Sequence, residues 1–203
     1  MMRVRVEYKK EDFFVFLSSL DMTRYFERAL RRSALPILFT SGFNPKPKLD
    51  FSFALPLGIS SESEIFDFYL IEKRDHEEIF EKLNNSVDKN LNIKRVKEVN
   101  LSSPSLSSLI THFELEIFFE GFENFEIKNF IIKKENGTIL ELNNFIYKEE
   151  NKENKKRVIL SKNVSLRELY ENLKKTTQKE VLIKKLKNLR IIDENIFDIF
   201  DLD

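Results

Sequence analysis

Strand-like and helix-like patterns follow one another in the same order on both sides of a serine-rich segment, and this order is the feature that most constrains the fold. The segment spans residues 101–108 and holds five serines and a proline near the middle of the 203-residue chain. Small polar residues and proline form a good connector but a weak core. We therefore predict two domains, residues 1–101 and 109–203.

The first half combines two-residue apolar spacing, typical of strands, with the three- and four-residue spacing of helices. Serine and aspartate at the start of the first helical pattern suit an N-terminal cap, and a proline closes it. The pattern predicts a strand over 3–9, a short apolar run over 13–17, a helix from Ser18 or Ser19 up to Pro36, segments at 36–41 and 48–55 around a proline-rich turn, a strand over 64–72, a helix over 75–87 and a strand over 91–99.

The second half repeats this order loosely. It predicts a strand over 113–119, a short helix over 122–133, strands over 138–147 and 157–160, a solvated charged loop over 148–156, a helix over 165–174 and a last strand over 181–192. Strand, helix, two strands, helix and strand in each half predict an α+β protein of two tandem ferredoxin-like (βαββαβ) units with antiparallel sheets. The alternative is that both halves share one sheet.

The composition excludes several kinds of chemistry. The chain contains no cysteine, so it cannot supply thiolates to an iron–sulfur cluster, a cysteine zinc site, a disulfide or a nucleophile. Its two histidines, His76 and His112, are 36 residues apart, and its four glycines match no phosphate-loop or dinucleotide motif. We therefore predict neither a metal nor a cofactor.

Apolar stretches are too short for membrane insertion. No apolar run approaches the roughly 20 residues that span a bilayer. The N-terminal residues 1–5 alternate charged and apolar side chains and lack the apolar block of a signal peptide. We expect a cytoplasmic protein that does not contact a membrane.

Charge is balanced overall, with 34 basic and 34 acidic residues, but not locally. Between residues 24 and 48 six bases accompany a single acid, Glu27. The tail from residue 191 onwards has no base and five acids, namely Asp193, Glu194, Asp198, Asp201 and Asp203. The neutral total therefore conceals a basic N-terminal region and an acidic tail.

Four arginines fall on one stripe of the predicted first helix, because their positions differ by steps of four, three and one: Arg24, Arg28, Arg31 and Arg32. Guanidinium groups bind phosphate or carboxylate through two parallel hydrogen bonds. The stripe therefore predicts an anionic ligand. The alternative is an ordinary surface on which Glu27, Asp21 and acids of neighbouring strands neutralise the arginines.

A rigid loop follows the helix. Four of the five prolines and two of the four glycines lie between residues 36 and 58. Each proline restricts itself and the residue before it, which would hold two lysines outward beside an asparagine and a serine. The predicted anion-binding site thus comprises Arg24, Arg28, Arg31, Arg32, Ser41, Asn44, Lys46 and Lys48. The alternative is a rigid hairpin whose lysines serve solubility.

The same residues carry a resemblance to a known family. The runs at 17–36, 41–45, 47–48, 54–58 and 61–64 combine the arginine-rich helix, a Gly-Phe-Asn-Pro turn and an Ala-Leu-Pro-Leu-Gly segment in that order. Together they resemble the radical-SAM-linked domain of unknown function, a bacterial family found beside or fused behind a radical SAM protein. The resemblance is dense over residues 3–72 and only compatible beyond Val99. It implies a radical SAM partner, which would hold the cluster that this chain cannot.

The chain departs from that family at two positions. Relatives usually have histidine where Ser19 and Lys46 stand. A family role in proton transfer or metal binding would thus be lost here, whereas Lys46 could still serve an anion. Either the family role is binding, or this chain is a degenerate member of the family.

These observations are compatible with three alternative functions. The first is a non-catalytic accessory protein that presents an anionic substrate, RNA or a ribosomal component, to a radical SAM enzyme. RNA bases could stack on Phe39, Phe43, Phe51 or Phe53, although alternating phenylalanines more often belong to a core.

The second function is an enzyme acting on a phosphorylated or carboxylated substrate, with Asp21, Asn44 and Ser41 as a polar site. Asp21 beside arginines is a poor general acid and is more simply a helix N-terminal residue, so we assign no catalytic residue. The third function is pure protein interaction. The basic helix would then dock on the partner, and the acidic tail would meet the partner or the chain's own basic residues.

Overall fold

The computed structural model describes residues 1–121, 123, 125–134, 136–152 and 155–202. These residues form an α+β fold with four α-helices, one large, mostly antiparallel sheet and one two-stranded sheet. None of the helices among them is long and apolar enough to cross a membrane.

The elements follow in chain order. The helices are α1 (Ser19–Arg32), α2 (His76–Asn84), α3 (Leu106–Leu109) and α4 (Leu166–Thr177). The strands are β1 (Met2–Lys10), β2 (Leu49–Phe51), β3 (Ser60–Leu70), β4 (Ile93–Val99), β5 (His112–Phe118), β6 (Ile131–Lys133), β7 (Ile139–Glu141), β8 (Ile146–Lys152), β9 (Lys155–Ser161), β10 (Leu182–Ile192) and β11 (Asn195–Asp198). Short 3-10 helices occupy Asp12–Phe16, Ile127–Asn129 and Leu142–Asn144.

Both halves contribute strands to one sheet. Its order is β4-β1-β3-β10-β5-β9-β8, with β2 also beside β3 and β11 beside β10. The halves join where β3 and β10 run parallel, through the pairs Ser60 with Lys184 and Ser61 with Lys185. The alternative prediction, in which both halves share one sheet, is therefore the observed one. The main strands described in each half do not form a sheet of their own.

Helix α1 forms where the serine and apolar spacing predict it. The Ser18 hydroxyl accepts a hydrogen bond from the Asp21 N–H and caps the first turn. The buried face carries Met22, Phe26, Ala29 and Leu30, so the arginines are left on the opposite side.

Strand β1 is buried on both faces, which differs from the half-buried strand that its alternation predicts. Val4, Val6 and Tyr8 pack beneath α1, as expected. Arg3, Arg5 and Glu7 are buried as well, because the connector and the C-terminal residues cover the other face. Alternation in sequence cannot show that a polar face will be covered from a distance.

Three predictions in the second half are wrong. The strand expected over 138–147 is divided into β7, a 3-10 turn and the start of β8. The helix expected over 122–133 is a 3-10 turn followed by β6, although residues 122 and 124 lie outside the described part. The solvated loop expected over 148–156 is the hairpin of β8 and β9, with residues 153 and 154 outside the described part. Its alternating lysines and glutamates pair on an edge strand, where charged side chains are common.

The connector packs against the fold. The Ser103 and Pro104 carbonyls accept hydrogen bonds from Arg3, and the Asp50 carboxylate accepts one from the Leu106 N–H. One core cluster lies within the first half, whereas the other combines Leu55, Ile59 and Ile65 with residues of the second half. The division at 101–109 remains a prediction.

Candidate functional site

The two arginines nearest the middle of α1 have no partner. Arg24 and Arg28 are exposed, and neither makes a hydrogen bond or an ion pair with a described residue. Both lie close enough to Asp21 to act on it, and the pKa of that carboxyl lies below its ordinary value because Ser18 donates to the carboxylate and both guanidinium groups add attraction. These two guanidinium groups are therefore available to an external anion.

The two arginines at the end of α1 hold neighbouring segments. Arg31 donates to the Pro45 carbonyl over 2.7 Å, and its guanidinium lies 4.8 Å from the centre of the Phe39 ring. Arg32 donates to the Ser86 carbonyl over 2.7 Å. Both remain exposed at the surface, but part of their hydrogen-bonding capacity is used to position the chain.

The proline-rich loop is a hairpin that stands beside α1. The Thr40 N–H donates to the Lys46 carbonyl, and the Lys48 N–H donates to the Leu38 carbonyl, each over 2.8 Å. Gly42 has a φ of 121°, which other residues rarely adopt. The loop is therefore a hairpin, the form that the alternative interpretation gave it, and the Arg31 bond to Pro45 ties its tip to the helix.

The tip of the hairpin presents an aromatic ring to solvent. Phe43 is fully exposed, and Ser41 and Asn44 on either side are exposed with no hydrogen bond from their side chains to described residues. The Lys46 ammonium lies 3.6 Å from the Glu27 carboxylate, and the Lys48 ammonium lies 4.4 Å from the centre of the Tyr69 ring. Both lysines remain exposed, and the contacts of Arg31 with Pro45 and of Lys46 with Glu27 hold the hairpin beside α1.

The other phenylalanines differ in their accessibility. Phe51 stacks on Phe66, and Phe53 packs edge-on against Phe113, so both rings are partly buried against the core clusters. Phe39 lies under the Arg31 guanidinium. Of the four phenylalanines considered for base stacking, Phe43 has the free face.

Asp21 lies in the first turn of α1, next to the capping serine. The Ser18 hydroxyl donates to the Asp21 carboxylate over 2.6 Å, and the Asp21 N–H donates to the Ser18 hydroxyl oxygen over 3.1 Å. Ser18 thus satisfies one of the free amides of the first turn. The arrangement matches the helix N-terminal interpretation of Asp21.

The acidic tail lies away from the basic helix. Asp198 pairs with Lys187 at 3.5 Å, and Asp201 pairs with Arg95 at 3.1 Å, both on strands of the sheet. Asp203 lies outside the described residues. The tail residues Asp198 and Asp201 therefore pair with basic residues of the sheet and not with α1, because β11 pairs with β10.

Sequence reasoning missed a second site, a groove of about 700 Å³ between the N-terminal ends of α1 and α4. Ser18 and Ser19 line one end, Ser165 and Arg167 line the other, and Lys185 lies among them although it is almost completely buried. A lysine within a strand pattern is normally predicted to be exposed, so no local pattern indicates that Lys185 is buried. The unusual lysine-rich run of β10 is the single hint in the sequence.

A buried charged cluster lies beside the groove. The Lys185 ammonium pairs with the Glu64 carboxylate and donates to Asn188 over 3.2 Å. Lys10 donates to the Leu17 carbonyl over 3.0 Å, and its pKa is lowered because burial disfavours its charge, an effect that the nearby Glu64 opposes. Burial also raises the pKa of Tyr8, with Glu64 adding to the effect.

Metal-binding side chains do not cluster within the described ranges, where no three histidine, aspartate or glutamate residues converge. His76 begins α2 and His112 begins β5. The pKa of the His112 imidazole is lowered by burial, and its ring contacts the neighbouring Thr111 hydroxyl.

The model of one protein family, described as "Uncharacterized protein conserved in bacteria (DUF2344)", matches residues 3–192. The match spans both halves, well beyond the region 3–72 in which the sequence resemblance is dense. No curated protein matches the chain.

Proposed function

The chain belongs to DUF2344, a bacterial family without an assigned activity, and we propose that it is a non-catalytic accessory protein that presents single-stranded RNA to a radical SAM enzyme. RNA binds to the basic surface formed by α1 and the adjoining hairpin. That surface comprises Arg24, Arg28, Arg31, Arg32, Ser41, Asn44, Phe43, Lys46 and Lys48.

The observation that carries the proposal is the position of Phe43. Phe43 is fully exposed at the tip of the hairpin, so a ligand that covers its ring gains the free energy of removing that apolar surface from water. Single-stranded RNA offers bases that stack on aromatic side chains, with about 1–3 kcal/mol per stacked base. Arg31 ties the tip to a helix that carries two unpaired guanidinium groups, so a stacked base brings its phosphates towards them.

Preorganisation supports the same ligand. The hairpin is held by two backbone hydrogen bonds, two prolines and the Arg31 contact, so binding needs little ordering of this segment. Arg24 and Arg28 give up no internal ion pair when they bind phosphate. Both features favour binding of an extended polyanion over a structural role for the arginines.

The link to a radical SAM enzyme rests on the sequence resemblance and on composition. A chain without cysteine cannot hold the iron–sulfur cluster of such an enzyme, so the chemistry belongs to the partner. An accessory role is consistent with an RNA surface that contains no general acid or base in a working position. Co-purification of the neighbouring radical SAM protein after nuclease treatment tests this part directly.

We further infer that each half keeps a ferredoxin-like strand order within the shared sheet. The orders β4-β1-β3-β2 and β10-β5-β9-β8 both place the fourth strand beside the first and the third beside the second. In the second half the first helix is replaced by the segment that carries β6 and β7. The helix that bears the basic surface therefore occurs in the first half.

Titration of a labelled single-stranded RNA tests the function. Arg24→Ala/Arg28→Ala should weaken binding and reduce the salt dependence by roughly 0.7 in log–log slope for each phosphate that the variant no longer neutralises. Lys174→Ala/Lys175→Ala removes the same charge from the exposed end of α4 and should leave the affinity nearly unchanged. Phe43→Ala should weaken binding about fivefold or more without a change in slope.

Two results would overturn the proposal. One is the absence of RNA binding by the unmodified protein at low salt. The other is an equal loss of affinity in the α1 and α4 double variants, since that would indicate a non-specific charge effect. If the radical SAM protein still co-purifies after nuclease treatment and RNA does not bind, the basic surface is a protein-docking site.

A further inference from the structure

The groove between α1 and α4 has the size and lining of a small-molecule site. Its volume of about 700 Å³ falls within the range of ligand pockets in proteins. The segment 53–57 forms one wall, and the start of α4 with the preceding loop forms the opposite wall. Both halves therefore contribute to it, and it lies outside the basic surface of α1.

The walls combine aromatic rings with basic side chains. Phe53, Phe113 and Tyr170 line the groove, and the first two rings meet edge-on at 5.7 Å between centroids. The Lys162 ammonium lies 5.4 Å from the centre of Phe53, and the Lys185 ammonium lies 5.4 Å from the centre of Phe113. Cations thus stand beside the rings that a flat ligand would contact.

The buried charges beside the groove do not balance. Lys10 and Lys185 are 3% and 1% exposed, and Glu64 is the acid that lies close to both. Lys10 and Glu64 line a smaller recess that shares Ser19, Phe53, Ala54 and Leu55 with the groove. Two buried ammonium groups against one carboxylate leave a positive charge with little solvation, which an anion would stabilise.

Charged residues at the mouth of the groove do not cancel its positive charge. Lys162 and Arg167 line the groove, and Glu171 is the acid among its lining residues. Arg167 donates to Glu171 over 2.9 Å, so that acid is neutralised within α4. The positively polarised N-terminal ends of α1 and α4 add to the attraction for an anion.

We propose that this groove binds a small organic anion, an aromatic ring that carries a phosphate or carboxylate group, of about the size of a mononucleotide. The ring lies among Phe53, Phe113 and Tyr170, and the anionic group faces Lys185 at the floor. The ligand needs both its ring and its charge. The aromatic walls bind the ring, and the excess positive charge of Lys10, Lys185 and Glu64 attracts the anionic group.

Calorimetric titration of the full chain with three probes tests the site. Adenosine 5′-monophosphate carries both ring and phosphate, adenosine carries the ring alone, and inorganic phosphate carries the charge alone. We expect saturable binding of the monophosphate and at least tenfold weaker binding of the other two. Equal affinity for adenosine would refute the role of the charge, and equal affinity for phosphate would refute the role of the rings.

Two variants locate the binding. Ala54→Trp fills the groove from its exposed wall and should weaken binding of the monophosphate at least tenfold, whereas Leu101→Trp, on an exposed turn outside the groove, should not. Lys185→Met removes one of the two buried ammonium groups and leaves Lys10 beside Glu64, so the buried charges then balance, and it should also weaken binding at least tenfold. Thermal unfolding of each variant shows whether it is folded.

The proposal fails if the unmodified protein shows no saturable binding of the monophosphate, or if Ala54→Trp binds as tightly as the unmodified protein. It is separate from RNA binding, since Arg24→Ala/Arg28→Ala should leave the affinity for the monophosphate unchanged. Should that double variant lose both ligands, the monophosphate binds on α1 and the groove is not its site.

Discussion

A single buried carboxylate joins the N-terminal strand to two distant segments of the chain. Asp67 on β3 is fully buried and accepts hydrogen bonds from Arg3 and Arg5. Arg5 in turn donates to the Ile199 and Leu202 carbonyls over 3.0 and 3.1 Å. Arg3 likewise donates to backbone carbonyls of the connector. Through the two arginines, Asp67 therefore holds together segments that are about 100 or more positions apart.

Replacement of Asp67 by asparagine should therefore be severe. The change keeps the side-chain shape but removes the counter-charge of the buried Arg5 and leaves Arg3 with Asp50 at 3.4 Å, and loss of a buried partner typically costs about 3–5 kcal/mol of unfolding free energy. Urea denaturation followed by circular dichroism measures the loss. The matched Asp193→Asn change, in an exposed turn, should cost less than about 0.5 kcal/mol.

A network of surface ion pairs beside the pairing of β3 with β10 makes the free energy of unfolding depend on pH. Partial burial alone would raise the pKa of Glu62, but hydrogen bonds from Lys184 and Lys9 outweigh it and lower that pKa from 4.5 to about 2. Lys9 lies 2.6 Å from the carboxylate, and Lys184 also pairs with it. The ionised form is therefore favoured in the folded protein.

Because the folded pKa lies below the unfolded one, Glu62 stabilises the protein above about pH 4.5, and this contribution is lost as the pH falls towards 2. Glu62→Gln should lower the unfolding free energy by about 1–2 kcal/mol at pH 7, after allowance for solvent screening. The difference from the unmodified protein should shrink below pH 4.5 in urea titrations. A difference that stays constant down to pH 2.5 would contradict the assignment.

At the scale of the element, α1 serves two surfaces at once. Its buried face packs Met22 and Phe26 into the first core, and its exposed face carries the arginines. Four like charges on one side destabilise an isolated helix, so the buried face and the cap have to offset their repulsion. The capping serine is thus important to the basic surface although it contacts none of the arginines.

Ser18→Ala removes the side-chain oxygen that accepts from the Asp21 N–H. We expect a loss of about 1 kcal/mol in unfolding free energy and faster amide exchange in the first turn of α1. Ser19→Ala is the matched control, because that side chain is exposed and caps nothing. Equal losses in the two variants would show that the cap is not the cause.

At the scale of the whole molecule, the C-terminal residues close the sheet over the first strand. Ile199 and Phe200 are buried in the core that spans both halves, and their segment accepts the hydrogen bonds of Arg5. Arg95 on β4 lies 3.9 Å from the centre of the Phe200 ring. The end of the second half therefore stabilises two strands of the first.

Ile199→Ala should destabilise the molecule by about 2–5 kcal/mol, because it leaves a cavity at a fully buried position. Hydrogen exchange should report the loss in β1 as well as in β10, since both contact this segment. The control Ile196→Ala lies on β11, where the side chain is largely exposed, and should cost less than about 1 kcal/mol. Exchange that increases in β10 alone would show that the halves unfold independently.

Local patterns predicted the elements best where apolar residues recur with the period of a helix or a strand. Helix α1 and strands β3, β4, β5 and β10 lie where their periodicity places them. Prediction failed over 148–156, because a charged edge strand and a charged loop have the same composition. It also failed for Arg3 and Arg5, which alternate like surface residues but are covered from the far end of the chain.

The amino-acid sequence by itself determined the α+β class, the basic stretch from Arg24 to Lys48 and the rigid hairpin, since these depend on periodicity, charge and proline placement over a few residues. The tertiary structure alone decided which arginines are free, that the two halves share a sheet, and that Lys10, Glu64 and Lys185 meet beside a groove. The reason is physical. The burial and pairing of a charge depend on groups far away in sequence, which only the folded chain brings within a few ångströms.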